Sequence, residues 1–333
     1  MIGQIRTVCT YTLKKKTMSK PIKLIFFGSS EFGIPILDEL RCASYEIVAV
    51  VTSIDKPAGR SKQLKSPIIK LWSQDAGIKV IQPTDLKDPG FLNEIVSLHP
   101  DLIIIAAFGK IIPGMILDIP KFGSINVHPS LLPKWRGPSP IQNVILSGEK
   151  ETSVTLMLTD EKMDHGPIII QEKTYVDDKD TYISLTQRCA SLGAELLIKT
   201  LPKWLEGRIK PQEQDHSLAT FTKIISRDDG KIDWSKSADE IDRTARAYYP
   251  WPGAFTFLPD GKRLKLLEVR ILNIEDGRYE SGTVFLTDTG EMAVACGKNA
   301  LMIEKVQKEG GEPMDGKSFL NGHRNLIKQE LRS

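Results

Sequence analysis

Apolar positions along this chain keep two rhythms, and the switches between them mark out its elements. Residues 22–27 (IKLIFF), 47–51 (IVAVV) and 102–107 (LIIIAA) are short, nearly continuous apolar runs, the pattern of strands buried on both faces of a parallel sheet. Between them, the segments around Ile36, Leu37 and Leu40, over 68–76, and through Phe91, Leu92, Ile95 and Val96 place apolar residues at helical spacing. A short strand is expected at 79–81, further strands at 125–128 and 152–158, a helix at 138–146 and a long amphipathic helix at 182–205.

This alternation predicts an α/β domain over 20–208, a Rossmann-like, open, mostly parallel sheet with helices on both faces and 102–107 as its central strand. A linker over 209–221 follows. From 222 to 333 the pattern changes to a helix over 238–247, with Ser235 and Ser237 as candidate caps, and then short strands near 255–257, 264–271, 282–286, 292–296 and 300–306. Five such strands separated by turn residues predict a small OB-like β-barrel.

Composition narrows the class without naming a function. With 333 residues, 41% hydrophobic and 26% charged, the chain is long enough for two cores, and no apolar run approaches the roughly 20 residues of a membrane span. Cys9, Cys42, Cys189 and Cys296 are scattered without C-x-x-C spacing, which argues against a zinc site and a secreted disulfide framework; a cytoplasmic setting is expected. The net charge of +3 owes everything to residues 1–19, where Arg6, Lys14, Lys15 and Lys16 stand without an acid; the remainder is −1. That extension is excluded from the fold, as a disordered segment or a start misplaced ahead of Met18. Contact with nucleic acid must then rest on local patches.

Candidate chemistry concentrates in one stretch, Ile125-Asn126-Val127-His128-Pro129, which continues through Ser130-Leu131-Leu132-Pro133 to Trp135-Arg136-Gly137. It opens as a strand and meets a proline that a central strand cannot absorb, so it ends near His128. Asn126 and His128, two apart, project from one face at that strand end, where open α/β sheets bind ligands. An amide donor beside an imidazole can stabilise an oxyanion and manage a proton; an isolated N-x-H is equally a turn-forming Asn and a backbone-bonded His. The turn after 22–27 reads Gly28-Ser29-Ser30-Glu31-Phe32-Gly33, which fits neither the G-x-G-x-x-G dinucleotide fingerprint nor a P-loop. The segment from Ser53 to Pro67 is expected to be a loop, with Lys56, Arg60, Lys62 and Lys65 against the single acid Asp55: a solvated loop, or cations set to hold a phosphodiester backbone.

Taken together, N-x-H, S-L-L-P and W-R-G-x-x-P-I-Q resemble the signature of the formyltransferases that use 10-formyltetrahydrofolate, and the resemblance extends from Ile22 to Arg324. It implies Asn126, His128 and Asp164 as catalytic residues. It further implies folate contacts from Ser130, Leu131, Leu132 and Pro133 and from Phe108, Gly109 and Ile111, with no metal. D-x-P-A-G-R at 55–60 is similar to the insertion by which the tRNA-directed branch of the family reaches the acceptor arm. This makes Lys56, Arg60, Lys62 and Lys65 candidate tRNA contacts and initiator methionyl-tRNA the implied partner of a monomeric enzyme. One departure is Asp164-His165-Gly166-Pro167, where that branch tends to read D-T-G-D. The Gly-Pro form is more typical of relatives acting on small amines or sugar nucleotides, which leaves a small acceptor, or the folate itself, as the alternative; a non-catalytic RNA-binding module is the other.

Overall fold

The computed structural model describes residues 20–58, 63–275 and 277–332, arranged as two compact units. The first comprises the described residues up to Pro140 with Glu151–Tyr175 and Thr186–Lys223; the second comprises Ile141–Lys150, Val176–Leu185 and the described residues from Ile224 onward.

In the first half of the chain, β1 (Lys23–Gly28), α1 (Gly33–Cys42), β2 (Glu46–Val51), β3 (Lys56–Ala58), β4 (Gln63–Lys65), α2 (Ile68–Asp75), β5 (Val80–Ile81) and α3 (Pro89–Ser97) lead to β6 (Leu102–Ala106). There follow α4 (Gly114–Leu117), β7 (Ser124–His128), α5 (Pro140–Ser147), β8 (Glu151–Leu158), β9 (Ile168–Tyr175) and α6 (Tyr182–Leu205). Seven strands form one sheet in the order β5-β2-β1-β6-β7-β8-β9, parallel through β7 and antiparallel across β8 and β9. Every residue of β6 is buried, as its unbroken apolar run requires of a central strand.

Period-two alternation sorts the strand residues to the two faces. Ile25, Phe27, Ile103 and Ile105 share a core with Phe91 and Ile95 of α3 and Ile116 and Leu117 of α4. Phe26 points the other way, where Gly33 of α1 lies against its ring beside Ile69 of α2. The stripe Ile36, Leu37 and Leu40 seats α1; each such burial contributes about 1.5–3 kcal/mol. Asp88 caps α3 through a 2.8 Å hydrogen bond from the Phe91 amide, which fixes where that helix begins.

The stretch read from the sequence as a linker is part of this first unit as far as Lys223. Its backbone is held at both ends: Gln212 exchanges two hydrogen bonds with Ile168 at 2.7 and 2.8 Å, and Thr220 and Thr222 flank Arg136 in a parallel bridge. A polar segment without helical or strand periodicity gives no sign of such pairing, because its partners lie about forty and eighty residues upstream. The loop expected over 53–67 is likewise a hairpin, β3 paired antiparallel with β4. Strand β9, left unassigned by the apolar pattern, is an edge strand with only Ile169 fully buried.

In the second unit, α7 (Ala238–Tyr248) precedes β10 (Ala254–Phe257), β11 (Arg263–Leu272), β12 (Val284–Leu286), β13 (Met292–Ala295), β14 (Ala300–Lys308), β15 (Pro313–Asp315) and α8 (Gly316–Asn321). The antiparallel order is β10-β11-β14-β13-β12, with β15 added beside β14, a barrel-like sheet. The chain end lies across both edges: Arg332 pairs with Phe257 of β10, and Glu330 pairs with Thr283 beside β12, so backbone groups that an open edge would expose are satisfied. The core gathers Trp234, Ile241, Leu264, Leu301, Ile303, Val306 and Phe319. The indole N–H of Trp234 donates to Thr256 at 3.0 Å, the partner that a buried indole needs. Ser237 caps α7 in a reciprocal box with Glu240, whose carboxyl is held below its ordinary range by the Ser237 hydroxyl and amide.

Candidate active site

Asn126 and His128 project from the same face of β7, and the turn between β8 and β9 brings Asp164 against both. The Asn126 amide donates from Nδ2 to Asp164 Oδ1 at 3.1 Å. The second carboxylate oxygen, Oδ2, accepts the Gly137 backbone N–H at 2.7 Å. Both carboxylate oxygens of Asp164 thus serve as acceptors. His128 is 4% exposed; its Nε2 lies 3.1 Å from the Trp135 carbonyl and its Nδ1 lies 3.6 Å from Asp164 Oδ1. A carbonyl can only accept, so the hydrogen of a neutral ring sits on Nε2 and Nδ1 faces the carboxylate. The 3.6 Å gap is longer than a hydrogen bond, and with an acceptor on each side of it the pair can form one only when Nδ1 takes up a proton.

Backbone geometry holds these groups in place. Asp164 has φ of 47°, in the left-handed region that Asp tolerates better than most residues. Two residues on, a Cβ at Gly166 would lie 2.1 Å from the Leu158 carbonyl oxygen, so only glycine lets the turn close onto the end of β8. Gly166→Ala is therefore expected to cost about 3 kcal/mol, read as a lower midpoint in urea with an unchanged slope. Gly137 is similarly constrained: its φ is 108° and a Cβ there would meet Thr222 Oγ1 at 2.7 Å. The Thr220 hydroxyl also accepts the Trp135 N–H at 2.8 Å, so the 220–222 strap clamps the loop that bears W-R-G.

The residues expected to meet the folate divide by burial. Phe108 packs edge-on against Phe27 in the core, Leu132 is buried, and Ser130 is buried with its hydroxyl donating to the Lys134 carbonyl at 2.7 Å. The Ser130 carbonyl accepts from Ser153 and Thr155, and Gln171 donates to the Leu132 carbonyl, so β8 and β9 brace the S-L-L-P turn. These three side chains are turned into the interior, whereas Leu131 and Pro133 are half-buried, Gly109 is open and Ile111 is 63% exposed.

In the basic hairpin, Lys56 and Lys65 are exposed and directly opposite each other, while Arg60 and Lys62 lie outside the described residues. Like charges opposed across a hairpin repel, an arrangement that an anion between them would relieve. The base of the hairpin is anchored by Asp55, which accepts from Lys70 at 2.7 Å, Gln82 at 2.9 Å and Ser66 at 3.1 Å. Hydrogen bonds from Gln82 and Lys70 hold its carboxyl below the usual range.

Two buried polar residues beside the site escaped the sequence reading. Arg136 stands out in the sequence only as part of W-R-G, and Gln214 lies in the stretch that reads as a linker. His165 donates from Nδ1 to Asp160 Oδ2 at 2.7 Å and stacks on His216 with ring centres 4.0 Å apart.

Comparison with known proteins reaches nearly the whole chain. A family model described as formyl transferase matches residues 22–201, and one described as formyl transferase, C-terminal domain, matches 224–324. A curated methionyl-tRNA formyltransferase from Chloroflexus aurantiacus is 40% identical over 302 residues, which are 90% of this chain and 97% of that protein. Among solved structures, an N-formyltransferase from Helicobacter canadensis in complex with folinic acid and dTDP-3-aminofucose superposes with a TM-score of 0.63 at 21% identity, covering 85% of this chain and 99% of that one. HypX from Aquifex aeolicus in complex with tetrahydrofolic acid gives 0.63 at 18% identity, covering 93% of this chain and 49% of that one. At those identities the structural likeness concerns the fold.

Proposed function

The chain belongs to the formyl transferase family, and we propose that it moves the formyl group of 10-formyltetrahydrofolate to the α-amino group of methionine carried by initiator tRNA. The observation that carries this reading is the meeting of Asn126, His128 and Asp164 at one point of a chain so similar, along nearly its whole length, to curated methionyl-tRNA formyltransferases. The neutral amine attacks the formyl carbon, the carbonyl oxygen becomes an oxyanion, and the tetrahedral centre collapses with N10 of the folate as leaving group. The proton lost by the amine is the proton N10 gains.

Asn126 Nδ2 carries two hydrogens and spends one on Asp164, which orients the other towards a formyl oxygen. His128 and Asp164 take up the amine proton and return it to the leaving nitrogen. The half-buried Leu131 and Pro133, with Gly109 and Ile111, are proposed to line the folate cleft over a floor made by Ser130, Leu132 and Phe108. Lys56 and Lys65, with Arg60 and Lys62, are proposed to grip the acceptor-arm phosphates. We assign the first unit, which runs through Lys223, as the catalytic domain, with the described residues from Ile224 onward as a second, tRNA-binding domain. The setting is the cytoplasmic translation machinery, with the enzyme acting as a monomer.

Formyl-labelled folate offered together with charged initiator tRNA, the uncharged tRNA and a nucleotide-linked amino sugar tests the reading. Label on the methionine amine is the expected outcome; label on the sugar, or released as formate, would establish the small-acceptor or hydrolytic alternative suggested by Gly166-Pro167. Reversing two charges, Lys56→Glu with Lys65→Glu, is expected to raise KM for charged tRNA. It should also make the log–log salt dependence shallower by about 1–2, since each lost phosphate contact removes about 0.7–0.9 from that slope.

A further inference from the structure

Gln214 is 5% exposed and Arg136 is 2% exposed. Buried polar groups must be paired, so their partners are informative. The Gln214 amide nitrogen donates to two carbonyls of the catalytic turn, Asp164 O at 3.0 Å and Gly166 O at 2.7 Å. Its oxygen receives the Arg136 guanidinium as a fork, from Nη2 at 2.6 Å and Nε at 3.2 Å. The assignment of oxygen and nitrogen is dictated by chemistry: a guanidinium only donates and a carbonyl only accepts, so the reverse orientation would oppose donor to donor and acceptor to acceptor. His216 Nδ1, 2.9 Å from Arg136 Nη2, is an acceptor by the same logic.

These bonds close a ring. From the Asp164 carboxylate it passes to the Gly137 N–H, back one residue to Arg136, through its guanidinium to Gln214, and from the Gln214 amide to the Asp164 carbonyl. One residue before Arg136, the Trp135 carbonyl holds the His128 ring. A single primary amide thus ties the backbone of Asp164, in its left-handed conformation, to the loop that receives its carboxylate and fixes the imidazole. The backbone of Gln212, two residues earlier, is strapped to Ile168, so Gln214 is itself delivered by a fixed segment.

We propose that Gln214 is a positioning residue for the reaction: it holds the Asp164 turn and the 135–137 loop at the separation that lets Asn126, His128 and Asp164 act together. The inference rests on the reading of Asp164 as a reacting-site carboxylate. No other neutral side chain of this length offers two donors to carbonyls and an acceptor to a cation. A carboxylate serves Arg136 but repels both carbonyls, and an apolar side chain serves neither.

The test uses the full-length protein with Gln214→Glu. Gln214→Met strips the buried guanidinium of this acceptor and puts folding at risk, whereas the Glu variant keeps an acceptor for it. Gln214→Glu is expected to lower kcat about tenfold to a hundredfold, the effect of small misplacements of reacting groups, with KM for both substrates within about twofold of wild type. Because Gln214 acts through Asp164, the double variant Asp164→Asn, Gln214→Glu should be no slower than Asp164→Asn alone, whereas a merely structural role would multiply the two losses. A readout independent of turnover is the amide proton resonance of Gly137, assigned by selective labelling of the Arg136–Gly137 pair, which should move when Gln214 is changed. Wild-type kcat, multiplicative losses or an unmoved Gly137 resonance would each overturn the proposal. If the wild-type protein transfers no formyl group to any acceptor, the proposed function fails while the Gly137 resonance still decides the place of Gln214.

Discussion

Asp164→Asn is expected to lower kcat about a thousandfold, within the range lost when a positioned acid or base is removed, with the two-domain fold retained. Asp164 receives two donors on two oxygens, the Asn126 amide and the Gly137 N–H. A carboxamide has one oxygen, so its NH2 group must then face one of those donors. Either the Asn126 amide loses the acceptor that orients it or the W-R-G loop loses its tether, and in both cases the charge facing His128 Nδ1 disappears. Steady-state kinetics check this. Because the substitution keeps the volume and the backbone angle, circular dichroism should match wild type, and thermal unfolding should fall only by the few degrees that one opposed donor pair of about 1–3 kcal/mol costs. A thousandfold loss accompanied by unfolding would place Asp164 in the structural framework instead.

Asn126→Ala is the second large effect, expected to lower kcat about a hundredfold to a thousandfold, the loss seen when one oxyanion donor is deleted, with KM for the folate nearly unchanged. The signature matters more than the size. A donor aimed at charge that develops only in the transition state lowers kcat and kcat/KM together, whereas a donor that merely holds the ground-state formyl group raises KM. Asn126 lies mid-strand between β6 and β8, whose ladders are backbone bonds, so removal of its side chain leaves the sheet pairing untouched. Near-normal turnover in Asn126→Ala would remove the amide from the mechanism.

How much of this is legible in the sequence depends on range. Continuous apolar runs announced β1, β2 and β6, because a strand buried on both faces has no alternative composition. Asn126 and His128 could be placed on one face from their spacing alone, and the proline after His128 set the end of the strand. Asp164 could be added only through family resemblance, since its meeting with Asn126 spans 38 residues and depends on a turn at positive φ that no periodicity encodes. The hairpin β3–β4 reads as a loop because its residues are short-paired and polar. Gln214 was hidden most completely: glutamine in a polar connecting stretch looks solvated, and only the two carbonyls and the guanidinium that surround it reveal a buried role. Ser130, Leu132 and Phe108 likewise sit in a motif that resembles a ligand site, while their side chains are buried.

The central claim is that the one-carbon unit changes owners at the point where the Asn126 amide, the His128 ring and the Asp164 carboxylate meet. The most direct measurement is a crystal structure of the protein with 10-formylfolate, an analogue that carries its formyl group on the same N10 nitrogen. The account predicts the pterin against Leu131, Pro133 and Ile111, with the formyl group beside Asn126 and its oxygen within about 3 Å of Nδ2, a hydrogen-bond distance. A folate bound with its formyl group out of reach of Asn126, His128 and Asp164 would contradict it.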